Sequence, residues 1–229
     1  MADSSNRDYA LFGKRVLSLV SELYPYVKHR LYTVESTGIV PRNMYKMQGV
    51  IDDALVDLFE DKEGYKKNDE ELKLCMFKLV SERLDNLYKD ESFHKDTIST
   101  SKLLQKELEK FEEVFEIDID NDLLMREELT DISYHQNDND QSMILYKDAE
   151  NNIIKSLNIQ DNNSNLSEEK SERLNKIYNW LPFETSNILD LFVFGKLNYD
   201  EIAYIKDVDK EIVKSTIQTI SRNLRKNLN

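Results

Sequence analysis

Seven side chains near the carboxy-terminal end are of the types that grip nucleic acid: Lys210, Lys214, Ser215, Gln218, Arg222, Arg225 and Lys226. Ammonium and guanidinium groups neutralise phosphates, while an amide or a hydroxyl reads base edges. Lys214, Gln218, Arg222 and Arg225 recur at steps of four and three residues, so a helix presents them as one stripe. No acidic residue follows Glu211 in the sequence. The chemistry expected here is electrostatic capture of a phosphate backbone.

Catalytic chemistry has little to stand on. His29, His94 and His135 are far apart, and with the single Cys75 they form no metal-ligand spacing. Asp118, Asp120 and Asp122 imitate the start of a calcium loop, but Leu123 stands where glycine makes the turn and Leu129 where the bidentate glutamate belongs. No glycine-rich phosphate loop or nucleophile motif is present. The expectation is a protein that is not an enzyme and uses no cofactor and no metal.

The elements that must carry the stripe are helical. Only 5 Gly and 3 Pro occur in 229 residues, too few for an all-β chain with many tight turns. Apolar residues at Leu11, Phe12, Val16, Leu19, Val20, Leu23, Val27 and Leu31 trace one face of a helix from Tyr9 to about Thr33. A second helix is expected over 44–60, burying Met47, Val50, Ile51, Leu55, Leu58 and Phe59. A third, over 70–89, turns Leu72, Met76, Leu79, Val80, Leu84 and Leu87 inward. Residues 97–116 allow a further helix. From Ile117 to Asn165 the chain is rich in Asp and Asn and reads as linker, with one short ordered piece near Met143 to Leu157.

Order is expected to return at Leu166. A helix beginning at Ser167 carries Leu174, Ile177 and Trp180, the tryptophan serving as a core anchor. The next starts at Leu181-Pro182 and stops at Gly195, a residue suited to the left-handed backbone that closes a helix. Asn198 and Glu201 form a variant capping box for a short helix, Tyr199 to Lys206. Asp207-Val208-Asp209 is the turn, and the final helix runs from Lys210 to about Asn227. Ile202, Ala203, Ile205, Val208, Val213, Ile217, Ile220 and Leu224 would lock the two as a helix-turn-helix. The fold class is therefore all-α: two small helical domains at 1–95 and 166–229, joined by a helix plus a long acidic insert at 96–165.

Charge is distributed to match. The net charge is −13, which alone disfavours nucleic acid. Residues 91–165 hold seven basic and eighteen acidic side chains, however, whereas 166–229 hold ten of each. The acidity thus lies mainly in the middle, and the chain ends in a basic helix. One cysteine, no apolar amino-terminal stretch and no apolar run near the roughly 20 residues that cross a bilayer imply a soluble, cytoplasmic protein without membrane insertion.

Leu181-Pro182, then Leu197-Asn198-Tyr199-Asp200-Glu201-Ile202-Ala203, then Val213-Lys214-Ser215 resemble region four of extracytoplasmic-function sigma factors of bacterial RNA polymerase, without a gap from Leu197 to Ser215. Asp207 replaces the family's usual turn glycine. Val50 to Phe59 is similar to the region-two helix that docks on the polymerase, and Met76 to Val80 fits the apolar spacing of the helix that captures the melted promoter strand. The resemblance implies core RNA polymerase and promoter DNA as partners, with an anti-sigma factor as a further one. It places polymerase binding on Asp52, Asp53 and Asp57, and promoter-strand binding on Lys78, Arg83 and Lys89. The alternatives are a sigma-like interaction module that binds an anti-sigma factor or other regulator without strong DNA binding, and a helix-turn-helix transcriptional regulator acting as a dimer.

Overall fold

A computed structural model of the protein describes residues 2–60, 66–95, 115–117, 123–125, 145–159 and 167–228. Among them are eight helices: α1 (Ala2–Ser36), α2 (Met47–Glu60), α3 (Asp69–Lys95), α4 (Lys147–Ser156), α5 (Glu168–Asn179), α6 (Phe183–Val193), α7 (Tyr199–Lys206) and α8 (Lys210–Leu228). The fold is all-α. The one extended feature among the described residues is an antiparallel pair, β1 (Phe115–Ile117) with β2 (Leu123–Met125), Glu116 standing opposite Leu124. Extended backbone at Phe115–Ile117 replaces the end of the helix expected over 97–116, whose remainder lies outside the described residues, as do Asp118, Asp120 and Asp122.

The long helix α1 is the spine. Phe12, Val16, Val20, Leu23, Val27 and Leu31 are buried along one face, as their spacing dictates, whereas Leu11 faces out at 61% exposure. Pro25 lies inside the helix with its ring exposed. It removes one backbone donor, and the buried flanks Leu23, Tyr26 and Val27 hold the helix through it. Helices α2 and α3 pack on α1 and on each other. Val50, Ile51, Ala54 and Leu58 of α2 meet Leu72, Met76, Phe77, Val80 and Leu84 of α3 in this bundle. Met47 and Leu55 are only half-buried, and Phe59 is exposed but keeps an edge contact with Phe12 at 5.3 Å between centroids.

The carboxy-terminal helices share that core. Helix α6 packs on α1, α7 packs on α3, and α8 closes over α5, α6 and α7. One continuous apolar cluster runs from Phe12 to Leu228, and each fully buried aliphatic or aromatic side chain in it contributes roughly 1.5–3 kcal/mol. Gly195 ends α6 for a reason other than a left-handed backbone. A Cβ there would stand 2.5 Å from the Leu191 carbonyl oxygen and 3.2 Å from the Phe77 ring. The left-handed position falls one residue later, on Lys196 at φ 53°. Trp180, expected in the core, caps α5 at 88% exposure. Its neighbour Leu181 turns inward against the cluster instead.

Candidate nucleic-acid interface

Helix α7 begins as its sequence demands. The Asn198 side chain accepts from the backbone N–H groups of Asp200 and Glu201 at 3.0 Å each, and the Glu201 carboxylate accepts from the Asn198 N–H at 2.7 Å. Asp207 ends it in the left-handed region at φ 52°, ψ 48°. A short polar side chain tolerates that backbone better than most, so Asp207 keeps the turn without a glycine. The Val208 N–H donates to the Ala203 carbonyl, and the Ile212 N–H donates to that of Asp209 as α8 begins. Ile202, Ile205, Val213, Ile217, Ile220 and Leu224 are buried, with Ala203 and Val208 packed against them. Two helices joined by a three-residue turn result, with the opposite face of α8 outward.

The seven expected binding residues all lie on α8, and their side chains differ in freedom. Gln218, Arg222 and Lys226 are exposed, and Lys214 is half-exposed, 3.9 Å from Glu211. Lys210 pairs with Asp200 at 2.8 Å, and that hydrogen bond together with the carboxylate's charge raises its pKa. The Ser215 hydroxyl donates to the Ile212 carbonyl on its own helix. Arg225 is tied down: its Nη2 donates to the carbonyls of Leu157 at 3.1 Å and Asn158 at 3.2 Å. Those carbonyls are aimed by the end of α4, where Asn158 turns left-handed at φ 50° and the Ile159 N–H donates back to Ile154. Between that helix end and α8 lies a cavity of about 600 Å³.

The amino-terminal candidates divide similarly. Asp52 and Asp53 point to solvent on α2 beside exposed Val56 and Phe59. Asp57 is held by Arg83 at 3.3 Å, so one residue expected to bind polymerase pairs with one expected to bind the promoter strand. Asp53 and Arg83 also line a cavity of about 320 Å³ with Tyr45 and Asn86. Lys78 lies over the Tyr204 ring of α7, 5.5 Å from its centroid. Lys89 is exposed.

Sequence reasoning missed the buried polar cluster that joins the two halves. Asp190 of α6 lies at its centre, fully buried. It accepts from Tyr178 Oη at 2.7 Å and from Arg30 Nη1 at 3.0 Å, while His29 Nε2 stands 3.4 Å away. Tyr178 gives its only proton to Asp190, so His29 Nε2, 2.9 Å from the same hydroxyl, must be the donor of that pair. Arg30 also reaches Ser186 and lies over the Phe183 ring at 4.4 Å. Burial alone would raise the Asp190 pKa, but His29, Arg30 and the Tyr178 hydroxyl together hold it below the usual carboxylate value. A second strand of contacts runs from the Tyr26 hydroxyl to Asn187 at 2.7 Å and on to Asp85 at 2.9 Å. Lys206 then bridges Asp85 and Glu184 at 2.7 and 2.9 Å, fixing α7 to α3 and α6. The available signal was Tyr26, His29 and Arg30 interleaved with Leu23, Val27 and Leu31 on one helix face.

No protein-family model matches this chain, and neither a curated protein nor a solved structure matches it. Among the described residues no group of three or more His, Cys, Asp or Glu is placed to hold a metal ion, and no helix is long and apolar enough to cross a membrane.

Proposed function

We propose that the protein is a transcription initiation factor of the sigma type, cytoplasmic, which binds core RNA polymerase through its amino-terminal bundle and promoter DNA through α8. The observation that carries this reading is the pair α7 and α8, joined by a turn with Asp207 left-handed, with Lys214, Gln218 and Arg222 outward on one face. Asp52 and Asp53 beside exposed Val56 and Phe59 give α2 an acidic and apolar face suited to a basic, apolar helix of a partner. In this reading the free protein is closed, with its 1–95 and 166–229 units packed together, and polymerase binding separates them.

A second reading has an observation of its own. Lys78, Arg83 and Arg225 are engaged within the chain, which leaves fewer cations for phosphates and favours a sigma-like module that binds an anti-sigma factor or other regulator. Size-exclusion chromatography with purified core polymerase separates the two. The sigma reading expects co-elution, weakened about tenfold or more by Asp52→Lys with Asp53→Lys, since reversing exposed interfacial charges costs complementarity without disturbing the core. A wild-type chain that elutes apart from the polymerase rejects the sigma reading and favours the module.

A further inference from the structure

The cavity of about 600 Å³ between the end of α4 and the face of α8 falls within the roughly 300–1,000 Å³ of small-molecule sites. Its walls are chemically divided. Arg222, Arg225, Ser221 and Gln218 stand along α8, with Ser156 and Asn158 opposite, while Phe192, Tyr199, Ile217 and Leu157 supply the apolar part. The rings of Phe192 and Tyr199 lie nearly parallel, 20° apart with centroids at 5.6 Å, and both remain partly open. Among the described residues no ion pair or hydrogen bond holds Arg222, so its guanidinium is free to take an anion. Arg225 is already oriented by the Leu157 and Asn158 carbonyls through one nitrogen.

From these walls we infer that the cavity binds a ring-bearing phosphate of nucleoside monophosphate size. The phosphate meets Arg222 and the free nitrogens of Arg225, while the Ser221 hydroxyl donates to the Leu157 carbonyl at 3.4 Å; two guanidiniums match phosphate geometry. The base lies against Phe192 and Tyr199, a contact worth about 1–3 kcal/mol per base in other proteins. Amides of Gln218 and Asn158 meet its polar edge. The Arg225 hydrogen bonds hold residues 157–158 across one side of the cavity. The cavity shares Gln218 and Arg222 with the face of α8 proposed to meet promoter DNA, but nucleotide binding is measured without polymerase or DNA, so its failure and that of the transcription reading are distinguishable.

Isothermal titration of the full chain with AMP, GMP, CMP and UMP tests it. At least one nucleotide is expected to bind in the micromolar range, with inorganic phosphate and the matching nucleoside each about tenfold weaker or more. Arg222→Gln, an exposed change whose fold is checked by circular dichroism, is expected to weaken that nucleotide about tenfold. The inference fails if none of the four gives heat at millimolar concentration, if Arg222→Gln binds as tightly as the parent, or if inorganic phosphate binds as well as the nucleotide.

Discussion

Replacing Asp190 by Ala is expected to lower the unfolding free energy by about 3–5 kcal/mol, measured by urea denaturation. The carboxylate is 0% exposed and is the anion against which Arg30, itself 1% exposed, is buried. Removing it leaves a guanidinium whose Nε and Nη2 already have no protein partner, together with a Tyr178 hydroxyl that loses its acceptor. A domain of this kind is stable by only about 5–15 kcal/mol, so this one change removes a large share. The pair itself need not be net stabilising, because burying both charges is costly. Arg30→Met with Asp190→Leu is accordingly expected to recover most of the loss, and a single variant that loses under about 1 kcal/mol contradicts the cluster as described.

Raising the pH is expected to unfold the protein through Tyr26 and Tyr178. Burial lifts both hydroxyls above their ordinary value of 10, Tyr178 by a wide margin, with the Asp190 carboxylate adding to the rise and Arg30 opposing it. A folded-state pKa above the unfolded one means that the stabilisation is complete below about pH 10 and is lost as pH climbs from there towards the folded value. Each tyrosine contributes a slope of about 1.4 kcal/mol per pH unit in that window. Circular dichroism and tyrosinate absorbance recorded together should show these two residues ionising only as helicity disappears. Their ionisation at pH 10 in a fully helical chain would contradict the burial. Asp190 acts in the opposite direction: its pKa is depressed, so its contribution is present above about pH 4 and is lost as pH falls further.

The helix-turn-helix was legible because its determinants are local. Asn198 and Glu201 are three residues apart, Asp207 lies within one turn, and the apolar steps of α8 recur every three or four residues. The exposed stripe follows from the same periodicity. Trp180 was misread because an aromatic near a helix end is assigned inward by composition, whereas the chain turns at that residue and packs the half-buried Leu181 against the cluster. Gly195 signalled the end of α6 correctly, but its function is the close approach of Leu191 and Phe77, which only packing defines. The joining of the two halves was legible only in part. Tyr26, His29 and Arg30 share the apolar face of α1, but partners such as Arg30 and Asp190 are separated by 160 positions. Periodicity shows which face of a helix is apolar, but not which charge will be matched by a distant one. The same holds for Arg83 with Asp57 and for Arg225 with the end of α4.

Run-off transcription by purified core polymerase on genomic fragments, with and without this protein, tests the central claim most directly. A discrete transcript is expected only when the chain is added, and it should disappear when Lys214, Gln218 and Arg222 are all replaced by Ala in a protein that remains folded. No specific transcript from any fragment, or one indifferent to those three residues, contradicts promoter recognition by α8.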